Sequence, residues 1–397
     1  MQLPLGFRFS GIQSGIKASG KPDMALIANA QSGPTAGVYT QNKIVAAPVL
    51  WCRERTPGPI RAVVINSGNA NACTGERGRQ DAARMAELVA NELKCTAEEV
   101  LVMSTGVIGH HLPMEKIERG IPQLVGTLAD DEEGFLRSAT AILTTDQGKK
   151  TADRSFASSQ GTSYTICGMA KGAGMIGPNM ATMLGIVVTD FPLDPALAQQ
   201  LLQRVADQSF NRISVEGHTS TNDSLVLMAA EATQADASPS VGADDLQRFE
   251  EELTALCIEL AKKIPADGEG ASHLIEITVT GADCDASAVM IAKTVSQSAL
   301  VKTAITGGDP NWGRIVSAAG YADCPLDPAK TALTIQGIEV YRDGAPCKFD
   351  AKQASQAIRD RFEVQINLQV GEGAGKARFW TSDLTQAYVH FNSEYTT

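Results

Sequence analysis

The sequence predicts a mixed α/β chain, a layered α/β/β/α sandwich followed by a smaller C-terminal α/β part. Three observations predict it. Apolar, β-branched runs recur along the chain without polar alternation, as strands buried on both faces do. Stretches of helical periodicity separate several of these runs. The last third then changes character, passing through "KIPADGEGASH" into a helix, a glycine-rich stretch and short strands. At 397 residues the chain is long for one domain and reads as two or three.

The elements follow in order. Strands are expected at "RAVVIN" (61–66) and "EVLVMS" (99–104). Between them, residues 79–94 place Ala82, Met85, Leu88, Val89 and Leu93 on one helical face. "SYTICGMA" (163–170) and "MLGIVVTD" (183–190) read as strands, the second buried. Residues 194–209 form a helix that opens on Asp194-Pro195, a good N-cap and first-turn pair. "SLVLMAA" (224–230) is a strand and "PSVGADD" (239–245) a surface loop. The helix over 243–264 carries Leu246, Phe249, Leu253, Leu256, Cys257 and Leu260 at helical spacing. All three stripes are expected to face a core. "HLIEITVTG" (273–281) is a strand, and a helix is expected near 284–300. After "TGGDPNWGR" come short strands near 332–340, 363–371, 377–382 and 386–392.

Composition excludes several classes of function. Hydrophobic residues make up 43% and charged residues 20%, ordinary for a globular chain with a large core. Net charge is -11 and Lys and Arg form no run, so nucleic acid is not an expected partner. No apolar run approaches the ~18 residues of a membrane span. The opening "MQLPLGFRFSGIQSGIK" lacks the basic and apolar regions of a secretory signal. The eight cysteines, Cys52, Cys73, Cys95, Cys167, Cys257, Cys284, Cys324 and Cys347, are scattered with no CxxC pair. Reduced thiols and a cytoplasmic setting are therefore expected. The five histidines show no metal spacing, and the adjacent His110-His111 reads as a loop feature. No metal site is expected.

The stretch "AKGAGMIGPNMATMLGIVVTD" (170–190) carries the chemistry. Gly172-x-Gly174-x-x-Gly177 has the spacing of a dinucleotide fingerprint, which needs a helix to open at the glycines. Pro178 and Asn179 follow instead, and then a strand. A strand–loop–strand unit presents no helix N-terminus to a pyrophosphate. Read without that fingerprint, the loop is a tight turn or a device for the residue that ends it. Thr182 is the one nucleophilic side chain where the loop enters the strand. There is no GxSxG elbow, and no cysteine has an evident histidine base. Cleavage of the Ala181–Thr182 bond would give Thr182 its own base, the new α-amine with a pKa near ~8. Without such a cut Thr182 is a structural threonine.

The surrounding residues resemble a known family. "MAKGAGMIGPNMATML" is similar to the cleavage motif of the ornithine acetyltransferases, the bifunctional glutamate N-acetyltransferases of arginine biosynthesis. "VVINSGNANACTG" (63–75), "STGVIG" (104–109), "TTD" (144–146) and "SFNRISVEGHTSTND" (209–223) resemble further blocks of the family, in family order. So do "DGEGASHLIEI" (267–277), "GGDPNWGRI" (307–315) and "TSDLTQAYVHFNSEYTT" (381–397). Together they span nearly the whole chain.

The resemblance implies a specific chemistry and a fold like that of N-terminal-nucleophile enzymes. The precursor would cut itself into an α chain (1–181) and a β chain (182–397). Within the β chain, 182–282 would complete the sandwich and 283–397 form the smaller domain. Thr182 would attack the acetyl group of N-acetylornithine, and glutamate would collect it from the acetyl-threonine ester. The Thr105 hydroxyl and the Gly106 N–H would form the oxyanion hole, each donor worth roughly 3–4 kcal/mol in comparable sites. Read alone, Thr105-Gly106 is a strand-end turn. Thr145, Lys171, Thr182, Glu269, Asn392 and Thr397 match the family's substrate-binding positions. Lys171 suits a carboxylate and Glu269 an ammonium. Acetyl-CoA would be a co-substrate of some members, with no resident cofactor, and two α and two β chains would form the assembly. This chain departs from the family at Glu216 and His218, where aspartates are usual, and in lacking a proline after "TTD". Those changes bear on substrate choice more than on reaction class. The main rival is a self-processing aminopeptidase or amidase of related fold, which generally uses serine. A binding protein that keeps the fold uncut is a third reading.

Overall fold

The computed structural model describes residues 1–177, 183–230 and 242–394. The fold is mixed α/β with two sheets and flanking helices, divided between two compact units.

The first unit comprises Met1–Asn211 and Thr219–Ile264. Its eight-stranded sheet runs, from one edge, Val100–Val107, Gly58–Asn69, Met24–Tyr39, Ser224–Ala229, Leu184–Thr189, Ser163–Lys171 and Lys150–Ala157. Phe7–Ile12 pairs off this path with Met24–Tyr39. Alternate side chains of these strands serve two cores. Met24, Leu26, Val64 and Val102 pack with Met85 and Val89 of the helix Gly75–Leu93 and with Ile117 and Ile121 of the helix Met114–Gly126. Ala25, Ile27, Val63, Ile65 and Met103 pack on the other face with Phe135 of the helix Glu132–Ala141. A sheet covered on both faces needs apolar residues at every position, which is why its strands read as unbroken runs.

The helix Pro195–Gln208 starts where Asp194 accepts the Leu197 N–H at 2.9 Å. The helix Ala243–Ala266 buries Phe249, Leu253, Leu256, Cys257 and Leu260, and Phe249 stacks on Phe191 with centroids 4.3 Å apart. Met85, Ala82 and Val89 are buried as their spacing predicts, with Leu88 and Leu93 at the margin.

The second unit comprises Arg212–His218 and the chain from Pro265 on. Its seven-stranded sheet runs Ala345–Pro346, Ile338–Arg342, Ala332–Ile335, Glu363–Gln369, Leu274–Ala282, Gly375–Ser382 and Ile213–Ser214. Burial alternates along Glu363–Gln369, so this sheet buries one face. The helices Asp285–Gln297, Ala299–Thr306 and Trp312–Gly320 supply Ile291, Val295, Val301 and Ile315 to its core.

Several details differ from the sequence reading. The helix expected near 284–300 is two helices, because Ser298 leaves the helical conformation and caps the second by accepting the Val301 N–H. The strand expected at 386–392 is a helix, Gln386–Glu394, started by the Thr385 hydroxyl accepting the Tyr388 N–H at 3.2 Å. The second unit takes in Leu274–Ala282 and so begins well before 283. That strand pairs with Glu363–Gln369 and Gly375–Ser382, and its hydrogen bonds commit it to the C-terminal sheet.

Candidate active site

The glycine loop joins antiparallel neighbours. Lys171 ends the strand Ser163–Lys171 and stands opposite Leu184, the first residue of Leu184–Thr189. Gly172 has φ +149° and Met175 φ +58°, so the chain leaves the strand through conformations open to few side chains. Among the described residues no helix opens at Gly172, Gly174 or Gly177. The dinucleotide spacing is therefore coincidental. Ala181 and Thr182, and with them the bond expected to be cut, lie outside the described residues. On the far side, Met183 donates its N–H to Asp223 Oδ1 at 2.9 Å. Asp223 is fully buried, and burial pushes its carboxyl well above the ordinary range. In the sequence it lies in the block "SFNRISVEGHTSTND", which gives it no role of its own.

Thr105 and Gly106 close the edge strand Val100–Val107, where Ser67 faces Thr105 and Gly68 faces Gly106. Gly106 has φ +136°, and a Cβ there would lie 2.3 Å from the Gly68 carbonyl carbon and 2.5 Å from Asn69 N. The glycine is thus demanded by the adjoining backbone. Asparagines hold this strand end. Asn222 donates to the carbonyls of Ala70 at 2.6 Å and Ser104 at 2.9 Å. Ser104 Oγ donates to Asn66 Oδ1 at 2.6 Å, and Asn66 Nδ2 donates to Asn69 O at 2.8 Å. The polar block "NSGNANACTG" is therefore scaffolding for Thr105 and Gly106.

Lys171 is 2% exposed and donates from Nζ to Thr105 Oγ1 at 3.1 Å. Asp146 connects it to the rest of the site. Lys150 Nζ lies 2.7 Å from Asp146 Oδ1, and Lys171 Nζ lies 4.0 Å from Oδ2, with all three side chains buried. Asp146 also accepts the N–H of Gly172 at 2.6 Å and of Thr144 at 3.0 Å. Burial alone would raise this carboxyl, but Lys171, Lys150 and the Gly172 N–H outweigh it and hold it well below the ordinary range. Thr145, half-buried, sits between Thr144 and Asp146. Lys17 is a further cation of this cluster. Its Nζ donates to Pro22 O and Leu143 O, each at 2.7 Å. Burial, with Lys171 adding to it, brings Lys17 down to about 8. Sequence alone does not single out Asp146, Lys150 and Lys17, because only the fold brings their charges to Lys171.

Two of the expected residues belong to the second unit and meet there. Asn392 Nδ2 donates to Glu269 Oε2 at 3.0 Å. Gly270, next to Glu269, has φ +69°, and a Cβ on it would lie 2.5 Å from Tyr388 N. Asp383 braces the same loop by accepting the N–H groups of Ser272 at 2.9 Å and His273 at 3.1 Å. Of the two departures, His218 is exposed, whereas Glu216 turns inward and acts on Lys302. Lys302 donates to Val215 O and Thr381 Oγ1, and burial brings it down to about 8. Thr397 lies outside the described residues. Among the described residues no group of His, Cys, Asp and Glu could hold a metal, and no helix is long and apolar enough to cross a membrane.

A buried cation thus meets the Thr105 hydroxyl where the glycine loop leaves its strand. The chain belongs to the ArgJ family, whose sequence model matches residues 8–397. The arginine biosynthesis bifunctional protein ArgJ of Rhodopirellula baltica is 52% identical over 396 residues, which are 100% of this chain and 96% of that one. The protein of the same description from Thermosynechococcus vestitus is 45% identical over 410 residues, covering 99% and 96%. The crystal structure of ornithine acetyltransferase complexed with ornithine from Mycobacterium tuberculosis is 44% identical over 44% of this chain and 92% of its own, with a TM-score of 0.42.

Proposed function

We propose that the chain moves acetyl from N2-acetyl-L-ornithine to L-glutamate through an acetyl ester on Thr182. The single observation that carries this reading is the Lys171–Thr105–Gly106 group, placed where the glycine loop leaves its strand toward Thr182. Membership of the ArgJ family supports it.

The Thr182 hydroxyl first attacks the Ala181 carbonyl; the Ala181–Thr182 C–N bond breaks and frees the Thr182 α-amine, and water then hydrolyses the resulting ester to leave the Ala181 carboxylate and a free Thr182 hydroxyl. That amine then serves as base. It takes the hydroxyl proton as Oγ bonds to the acetyl carbon, and it passes the proton to the departing ornithine nitrogen. Thr105 Oγ–H and Gly106 N–H face the tetrahedral oxyanion. The glutamate amine then attacks the ester, the Thr182 Oγ–acetyl bond breaks, and Oγ recovers a proton. Lys171 offers positive charge to a substrate carboxylate, Glu269 with Asn392 takes the ammonium, and Thr145 and Thr397 complete the contacts. Two α and two β chains form the assembly.

The test is incubation with N-acetylornithine, with and without glutamate. N-acetylglutamate should form with ping-pong kinetics. Release of free acetate at the same rate with and without glutamate would instead make the chain an amidase.

A further inference from the structure

We infer that Asp146 is a positioning residue for acetyl transfer, which acts by holding Lys171 as an ammonium so that the Thr105 proton is aimed at the oxyanion. This rests on the reading of Thr105 as an oxyanion donor and adds what makes it one.

A hydroxyl carries one proton and two lone pairs, and it rotates to suit its neighbours. On its own, Thr105 could turn its proton anywhere. Lys171 Nζ lies 3.1 Å from Thr105 Oγ1. An ammonium only donates, so one lone pair of Thr105 is taken and the proton must point away from Lys171. Among the described residues that proton meets no acceptor, which leaves it for a substrate oxygen. A bond from a cation also polarises the hydroxyl and strengthens it as a donor.

A neutral amine would undo this, because it can accept the Thr105 proton. Lys171 is 2% exposed, and burial favours the neutral amine. The nearby Lys17 pushes the same way. Asp146 opposes both from 4.0 Å. It is itself fixed by Lys150 at 2.7 Å and by the Gly172 N–H at 2.6 Å. The Gly172 bond also ties the carboxylate to the first residue of the glycine loop. One buried carboxylate thereby sets the direction of an oxyanion donor.

A double-mutant cycle tests this on chain fully processed by prolonged incubation. The kcat for acetyl transfer is measured for wild type, Asp146→Asn, Thr105→Val and the double variant. Thr105→Val should lower kcat about 10²-fold, and Asp146→Asn should lower it at least about 10-fold. The double variant should be no slower than Thr105→Val alone, because Asp146 acts through a hydroxyl no longer present. Asp146→Glu, which keeps the charge, should recover most of the rate. Multiplicative losses in the double variant, or a harmless Asp146→Asn, would overturn the role of Asp146 and leave the oxyanion reading standing. A Thr105→Val variant with wild-type kcat would overturn the oxyanion reading itself. If Asp146→Asn does not fold, Lys150→Gln, which removes the ion pair that fixes Asp146, replaces it in the same cycle, with the same non-additivity expected.

Discussion

Gly106 shows how much a single residue can be constrained. A methyl group there would overlap the Gly68–Asn69 backbone, so Gly106→Ala must displace the strand end that carries Thr105. We expect kcat to fall at least about 10²-fold, the loss typical of one oxyanion donor, with the protein still folded by circular dichroism. Lys302 gives a pH prediction. Its folded pKa is lowered from 10.5 to about 8, so between those values the unfolded chain holds the proton and the folded chain does not. Stability relative to Lys302→Met should therefore rise with pH across that window, by at most about 1.4 kcal/mol per unit. Urea titrations from pH 7 to 10 check it, and a flat difference would contradict it. Thr105, Gly106, Lys171, Glu269 and Asn392 stand out only through the family resemblance, and the fold brings Lys171 to Thr105 and Asn392 to Glu269. Asp146, Lys17, Asn222 and Asp223 were not legible, since their importance lies in partners more than twenty residues away that meet only when the sheet forms.

At the scale of elements, capped and periodic segments were the most legible. Asp194 caps its helix as its position implies, and Asp194→Ala should cost about 1 kcal/mol by chemical denaturation. Truncating Phe249, which is fully buried against Phe191, should cost about 3–5 kcal/mol. The region 332–340 reads as one strand but is a hairpin, turned by Gln336 and Gly337 at φ +51° and +78°. The tail misleads for a different reason. Tyr388, Val389 and Phe391 have strand-like side chains, yet they lie on a helix with no buried residue, where packing imposes no pattern. The strand Met24–Tyr39 went unread because Gly33, Pro34 and Gly37 interrupt it, and its register with Gly58–Asn69 shifts between Ala28 and Gly33.

At the scale of the whole molecule, two sheets with different burial explain the uneven legibility. The first sheet is covered on both faces and announces itself as apolar runs, whereas the second buries one face and alternates. The glycine loop belongs to the first unit and joins two of its central strands, so whatever happens at residue 182 is anchored on both sides by sheet hydrogen bonds. The most direct measurement is a denaturing intact mass of the purified protein, before and after N-acetylornithine is added without glutamate. The account predicts two chains that together make up the 41.9 kDa sequence plus one water, the second beginning at Thr182 and gaining one acetyl group with the donor. A single uncut chain, or a cut chain that never carries acetyl at Thr182, would contradict it.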